Sequence, residues 1–281
     1  MRGRGVTGSA ERIAAAFTAA CRDELAALKP GNVHVFADGH RMTAAQFIRS
    51  AEAAAAPIAA KGASVGSRIL RAVAATRAAV GTNTNLGIIL LCAPLAAAAE
   101  QSQFGLRATL AGVLDRLDLE DARLAFEAIV LASPGGLGDA AQHDVRAPAT
   151  VSLKQAMAAA ADRDRIARQY VSSFADVFDT GADALAAARA RRDDASQVTL
   201  AVYLAFLARF PDTHIVRKHG SSVAEEVRQM AAQFERRLEE DAAHLHADLM
   251  AWDETLKRSG INPGTSADLT VATLFVARVS K

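Results

Sequence analysis

The chain has 281 residues, of which 51% are hydrophobic and 22% charged, with 32 basic side chains set against 31 acidic ones. So even a balance excludes the one-signed field that holds nucleic acid or an anionic membrane, and 5% aromatic residues are too few for a base-stacking surface. The composition is that of a globular protein, long enough to bury an extensive core within one domain.

From the N-terminus, Met1-Arg2-Gly3-Arg4 is basic, but no apolar stretch follows before Glu11, Asp23 and Glu24. No signal peptide is read there, and a cytoplasmic protein is expected. Alanine, the strongest helix former, dominates the chain, and apolar residues recur at helical spacing. This pattern predicts helices over about 9–28, 43–60, 64–79, 84–99, 105–117, 120–131, 152–178, 181–192, 196–209, 221–243, 245–258 and 265–278. Thr43 with Gln46, Ser152 with Gln155 and Ser222 with Glu225 have capping-box spacing. Helix 152–178 reads as amphipathic, with Asp162, Arg163, Asp164, Arg165 and Arg168 on its charged face. Helix 196–209 is apolar nearly all round and should be central, whereas 221–243 is laced with charge and should be peripheral. Nothing alternates as a strand would. The expected fold is all-α: a single globular multi-helix domain over residues 1–281, with one or two buried central helices. Cys21 and Cys92 lie inside apolar helical patterns without metal-ligand or disulfide spacing, so both read as small buried hydrophobes. The longest uncharged apolar run, Leu86 to Ala99, contains Pro94 and is too short to span a membrane.

The unusual residues gather in four polar islands between helices, where function tends to sit. The first is Lys29-Pro30-Gly31-Asn32-Val33-His34, followed by Asp38-Gly39-His40-Arg41-Met42. The second, Gly81-Thr82-Asn83-Thr84-Asn85-Leu86-Gly87, feeds directly into an apolar helix. Its Thr and Asn side chains can cap the helix, and the free N–H groups and positive helix end suit an anion such as phosphate. A plain helix cap explains the same residues. The third is Ser133-Pro134-Gly135-Gly136-Leu137-Gly138-Asp139 with Gln142-His143-Asp144-Val145-Arg146. It lacks the preceding strand and following lysine of a P-loop. The fourth has two parts, Pro211-Asp212-Thr213-His214-Ile215-Val216-Arg217-Lys218-His219-Gly220 and Gly260-Ile261-Asn262-Pro263-Gly264-Thr265-Ser266-Ala267-Asp268-Leu269. Asp268 falls in the first turn of the last helix, as a dipole-stabilising residue or as a metal ligand. His244 and His246 are two apart on a helix and face different ways, which argues against a shared metal.

Taken in order, the islands resemble the triphosphoribosyl-dephospho-coenzyme A synthase family. The matching segments are Lys29-Pro30-Gly31-x-Val33 with Gly39-His40-x-Met42 and Phe47, Asn83-Thr84-x-x-Gly87, Asp212-Thr213-x-Ile215, and Pro263-Gly264-x-Ser266-Ala267-Asp268-Leu269. The resemblance runs from about residue 20 to the end. It implies an all-helical, Mg²⁺-dependent transferase that joins ATP to 3′-dephospho-coenzyme A. The acceptor's ribose 2′-hydroxyl attacks C1′ of the ATP ribose, and adenine leaves. Two departures stand out. The family's central motif often reads Asn-Thr-His-Lys-Gly, where Asn85 and Leu86 stand here, and an acid often precedes the methionine of the first signature, where Arg41 stands. In this respect the chain resembles relatives associated with one-carbon cofactor pathways of the methanopterin and methanofuran type.

On this resemblance Asp212, Asp268 and Asp144 are the expected Mg²⁺ or sugar-facing carboxylates. Lys29, Arg217 and Lys218 are the phosphate-binding cations, with Gly31, Asn83, Thr84, Asn85, Gly87 and Ser266 completing the substrate cradle. Asp212, His40 and His219 are the catalytic candidates, a histidine serving as general base or as acid for the leaving group. The expected partners are ATP or another phosphoribosyl donor and dephospho-coenzyme A or another alcohol acceptor, with neither nucleic acid nor membrane. A homodimer is compatible with this reading. A non-catalytic nucleotide-binding scaffold and a hydrolase of the same fold are the alternatives.

Overall fold

The structure is a computed structural model and describes residues 8–39, 42–102, 105–134, 142–240 and 245–280. These form fourteen α-helices, with no strand among the described residues. In chain order they are α1 (Ser9–Ala26), α2 (Ala44–Ile58), α3 (Val65–Val80), α4 (Leu86–Gln101), α5 (Leu106–Asp115), α6 (Leu119–Ala132), α7 (Leu153–Ala160), α8 (Arg165–Ser172), α9 (Ala182–Ala190), α10 (Ala195–Arg209), α11 (Thr213–His219), α12 (Ser221–Glu240), α13 (His246–Arg258) and α14 (Gly264–Val279). A π-helical turn, Val177–Gly181, leads into α9.

The apolar pattern decides which helices are central. Every residue of α4 from Ile88 to Ala98 is buried, as is every residue of α10 from Val198 to Ala208. The first turns of α14 are nearly as deep, with Thr265 to Ala267 and Leu269 to Phe275 buried. α1 packs on α2 and α14; α4 lies against α3, α5 and α14; α10 lies against α9, α12 and α14. One continuous cluster of buried side chains runs from Ile13 on α1 to Phe275 on α14. Among the described residues no single helix is long and apolar enough to cross a membrane. α12 buries only a stripe, Ala224, Val227, Ala231, Phe234 and Leu238, and keeps its charges outside, as expected.

Two of the three start signals read from the sequence appear as hydrogen bonds, whereas Ser222 bonds Glu226 in place of closing a box with Glu225. Thr43 and Ser152 each accept the backbone N–H of a glutamine three residues on and receive its side chain in return. Asp118 and Asp194 close the same kind of box. Each cap stabilises its helix by about 1 kcal/mol. The expected helix 152–178 is broken instead. Asp164 turns its carboxylate onto the N–H groups of Ile166 (2.8 Å) and Ala167 (3.0 Å) and starts α8 afresh. α8 then stops where Ser173 and Phe174 adopt left-handed backbone angles. Arg165, expected on a solvated face, binds Asp176 through two nitrogens and lies 3.3 Å from the centroid of Phe210. A second difference is α11, which occupies the Asp212–Gly220 segment read as a loop.

Pro94 sits in the middle of α4 and cannot donate to the carbonyl four residues earlier, that of Leu90. The hydroxyl of Tyr170, wholly buried on α8, donates to that carbonyl at 2.6 Å. This bond replaces the lost helical one and seats α8 on α4. Tyr170→Phe leaves a buried carbonyl unsatisfied and should cost about 1–3 kcal/mol. Chemical denaturation of the two proteins checks this, with an unchanged denaturant slope.

Candidate active site

The N-terminal ends of α4, α8 and α14 converge on one side of α11, around a cavity of about 590 Å³. Each contributes a positive dipole end, although the first N–H groups of α8 are already taken by Thr213 and Asp164. α4 brings Asn83, Thr84, Leu86 and Gly87; α14 brings Gly264, Thr265, Ala267 and Asp268; α8 brings Asp164, Ile166 and Ala167. α11 adds His214, Val216, Arg217 and Lys218, and α1 adds Glu24. The cavity also has an apolar lining, with Leu90 of α4, Phe126 and Ile129 of α6, and Leu153 and Met157 of α7.

At the mouth of α4 the Asn83 side chain accepts the N–H of Leu86 at 3.1 Å, and the Thr84 hydroxyl donates to Ser50 at 2.6 Å. Gly87 is required by what lies above it. A Cβ there would stand 1.9 Å from Oδ2 of Asp268 and 2.7 Å from Ile166 Cδ1. The Asp268 carboxylate therefore lies directly over the first turn of α4. Asn85, expected in the substrate cradle, turns away. Its side chain is buried towards α3, beside Thr76, and its amide nitrogen has no hydrogen-bond partner.

Asp212 does not face the cavity. It is 2% exposed, and both its oxygens are engaged. Oδ1 accepts the N–H groups of His214 (2.9 Å) and Ile215 (3.2 Å), capping α11. Oδ2 accepts the N–H and the hydroxyl of Ser266, both at 2.8 Å. Asp212 and Ser266 thus form a joint that locks α11 to the head of α14, in place of the substrate contacts read from the sequence. Beside it the hydroxyls of Thr213 and Thr265 lie 3.0 Å apart. The joint sets Arg217 and Lys218 against Asp268. His219 falls at the far end of α11, where Nε2 pairs with the carbonyl of Gly260 at 3.1 Å; it does not line the cavity. His40 lies outside the described residues. Among the described residues the histidines that line the cavity are His143 and His214, which sequence reasoning had not chosen, and His143 holds a left-handed backbone (φ 52°).

The Lys-Pro-Gly island is a buried knot. Gly31, with φ 82°, donates its N–H to Asp253 Oδ1 at 2.8 Å, and a Cβ there would stand 2.8 Å from the ring of Pro263. His34 Nε2 lies 3.2 Å from Asp253 Oδ2, which Lys257 also reaches at 2.9 Å. Burial works to raise the Asp253 pKa, but the bonds from His34, Lys257 and Gly31 outweigh it and hold the carboxyl below its ordinary range. Lys29, with no exposed surface, pairs with Glu24 at 2.5 Å. Neither Lys29 nor Gly31 lines the cavity, but Glu24 does. Glu24 carried no motif; its only sequence signal was an acid on the apolar face of a helix.

Charge in the cavity is of both signs. Arg217 lies 3.7 Å from Asp164, and Lys218 is pushed below the usual lysine range by burial and by the neighbouring Arg217 charge. Asp268 is held well above the usual carboxylate range by burial, then by the charges of Glu24, Asp212 and Asp164; only Arg217 pulls the other way. Among the described residues no three His, Cys, Asp or Glu side chains are close enough to hold a metal by themselves. The expected set of Asp212, Asp268 and Asp144 is therefore not assembled. Asp212 is consumed by its four hydrogen bonds, and Asp144 accepts the N–H of Arg146 at 2.9 Å. Mg²⁺ asks less than three carboxylates, since one or two plus substrate phosphates and water complete its shell. Asp268, which receives no hydrogen bond from the described residues, fits that demand.

Over residues 10–281 the sequence matches the family model CitG, ATP:dephospho-CoA triphosphoribosyl transferase. The chain belongs to this family. It is a transferase of the triphosphoribosyl-dephospho-CoA synthase type. Among solved structures it is similar to a protein of Archaeoglobus fulgidus assigned provisionally as a triphosphoribosyl-dephospho-coA synthase. The two are 26% identical, with a TM-score of 0.65 over 81% of this chain and 96% of that one. No curated protein sequence matches the chain.

The raised Asp268 pKa has a consequence for stability. Between the unfolded carboxyl pKa, about 3.9, and the higher folded value, the unfolded chain has lost its proton and the folded chain keeps it. Stability therefore falls as pH rises through that window. Asp268→Asn removes the penalty. Without metal or nucleotide, its melting temperature should exceed that of the unsubstituted protein by a few degrees at neutral pH, and the difference should vanish below about pH 4. Thermal melts from pH 4 to pH 8 check both the sign and the window.

Proposed function

We propose that the chain transfers a triphosphoribosyl group from ATP to the ribose 2′-hydroxyl of 3′-dephospho-coenzyme A. The acceptor oxygen forms a bond to C1′ of the donor ribose as the bond from C1′ to adenine N9 breaks. The proton lost by the hydroxyl balances the one that adenine takes up. The observation that carries this reading is one cavity with a carboxylate, Asp268, seated over Gly87, and two adjacent cations, Arg217 and Lys218, on the facing helix. Substitution at an anomeric carbon passes through positive character on the sugar, which a carboxylate stabilises, while the polyphosphate needs cations. The apolar wall of Phe126, Ile129, Leu153 and Met157 suits the flat adenine. Mg²⁺, when bound, would neutralise phosphate charge, and Asp268 is the carboxylate we assign to it. His143 and His214 are the side chains placed to move a proton within the cavity.

Leu86 favours a second reading. It lines the cavity at the position where the family often carries lysine, so the wall holds one cation fewer. A donor with fewer phosphates fits that wall, as in phosphoribosyl transfer to a methanopterin-type cofactor precursor.

Incubation with ATP and Mg²⁺, with and without dephospho-coenzyme A, followed by mass analysis, tests the proposal. Adenine and a coupled product should appear only with the acceptor. Adenine without acceptor makes the protein a hydrolase, and none in either tube rules out ATP as donor. In the same assay Gly87→Ala, whose methyl displaces the Asp268 carboxylate, should lose at least about tenfold in turnover, about 1.4 kcal/mol of transition-state stabilisation.

A further inference from the structure

Glu24 is 3% exposed, yet it lines the cavity. Its partner Lys29 is wholly buried, and its three ammonium donors are all in use. Nζ lies 2.5 Å from Glu24 Oε1 and donates to Asn32 Oδ1 at 2.8 Å and to the carbonyl of Val33 at 2.7 Å. Lys29 has nothing left with which to hold a phosphate. Asn32 is fixed in turn, its amide donating to Asn262 Oδ1 at 2.8 Å. The pair is a rigid mount for one carboxylate.

That carboxylate is incompletely satisfied. No hydrogen bond from the described residues reaches Oε2 of Glu24, nor either oxygen of Asp268. The two acids face one cavity, and Glu24 is the largest charge acting on Asp268. Carboxylate oxygens that open into a cavity without protein donors can take a ligand there, and like charges on a shared wall raise the cost of ionising both. Lys29 pairs with Glu24, whereas no cation among the described residues is in contact with Asp268. A hard divalent cation, which prefers oxygen ligands, would draw on both carboxylates.

We propose that Glu24 and Asp268 together bind the divalent cation of this cavity, and that Lys29 is the positioning residue that fixes Glu24 for that task. The inference rests on the proposed polyphosphate and cation chemistry of the same site, and it moves Lys29 from the phosphate-binding set to the support of a cation ligand.

Mn²⁺ binding, followed by electron paramagnetic resonance with and without ATP, tests it independently of turnover. The double variant Glu24→Gln/Lys29→Met removes both buried charges and keeps their bulk. It should melt above Glu24→Gln alone, which strands a buried ammonium. It should nonetheless bind Mn²⁺ at least tenfold more weakly than the unsubstituted protein, as should Asp268→Asn. A double variant that regains stability and binds Mn²⁺ normally makes the pair purely structural and overturns the proposal. So does an unsubstituted protein that binds no Mn²⁺. Should the double variant not fold, Glu24→Asp keeps the charge for Lys29 but withdraws the carboxylate by one methylene; it should weaken Mn²⁺ binding equally, and unchanged binding again overturns the proposal. Mn²⁺ binding without adenine release would instead leave this inference standing and remove ATP as the donor.

Discussion

The site depends on one carboxylate that never meets its contents. Asp212 accepts two backbone N–H groups from α11 with one oxygen and the head of α14 with the other. A seven-residue helix has little stability of its own, so the cap and the joint are what keep α11 in place. Through that joint Arg217 and Lys218 are held on the same cavity as Asp268, on segments about fifty residues apart in the chain. The opposing charges of the cavity are a product of this crossing.

Elsewhere the protein uses buried polar groups in the same way, as joints between helices. Tyr203 ties α10 to the carbonyl of Pro30 at 2.7 Å. Arg68, almost fully buried, binds the carbonyls of Ile58 and Ala63 and pairs with Glu100. In a core where alanine is the commonest buried residue, many side chains are small and interlock weakly, so directional bonds carry more of the specification of one arrangement. The cavity wall departs from that rule. Glu24 and Asp268 are polar groups left open towards the cavity.

Much of the fold was legible because its signals are local. Capping boxes at Thr43 and Ser152, and the all-round apolar character of the α10 segment, need only neighbouring residues to be read. What the sequence hid was long-range. Asp164 looks like one more charge on an amphipathic helix until its carboxylate folds back to restart the backbone. Asp212 looks like a metal ligand because its motif is conspicuous, but Ser266, its partner, lies 54 residues on. Lys29 beside Pro30-Gly31 looks like a phosphate cation because burial is invisible in a loop sequence. Glu24 went unnoticed for the opposite reason, as an acid in an ordinary helix. The motifs marked where the site is assembled more faithfully than which atoms face into it.

The contact between Gly87 and Asp268 also constrains how this protein can drift. Residue 87 has no room for a side chain while the carboxylate is in place, so the two positions are tied by sterics across most of the sequence. A lineage that still uses the carboxylate cannot try alanine at 87. One that has abandoned it can shorten residue 268 first, and position 87 then has only the flexible end of Ile166 to displace. Loss therefore has an order. Descendants of this chain that carry a larger residue at 87 should be found only where the acid at 268 has already gone.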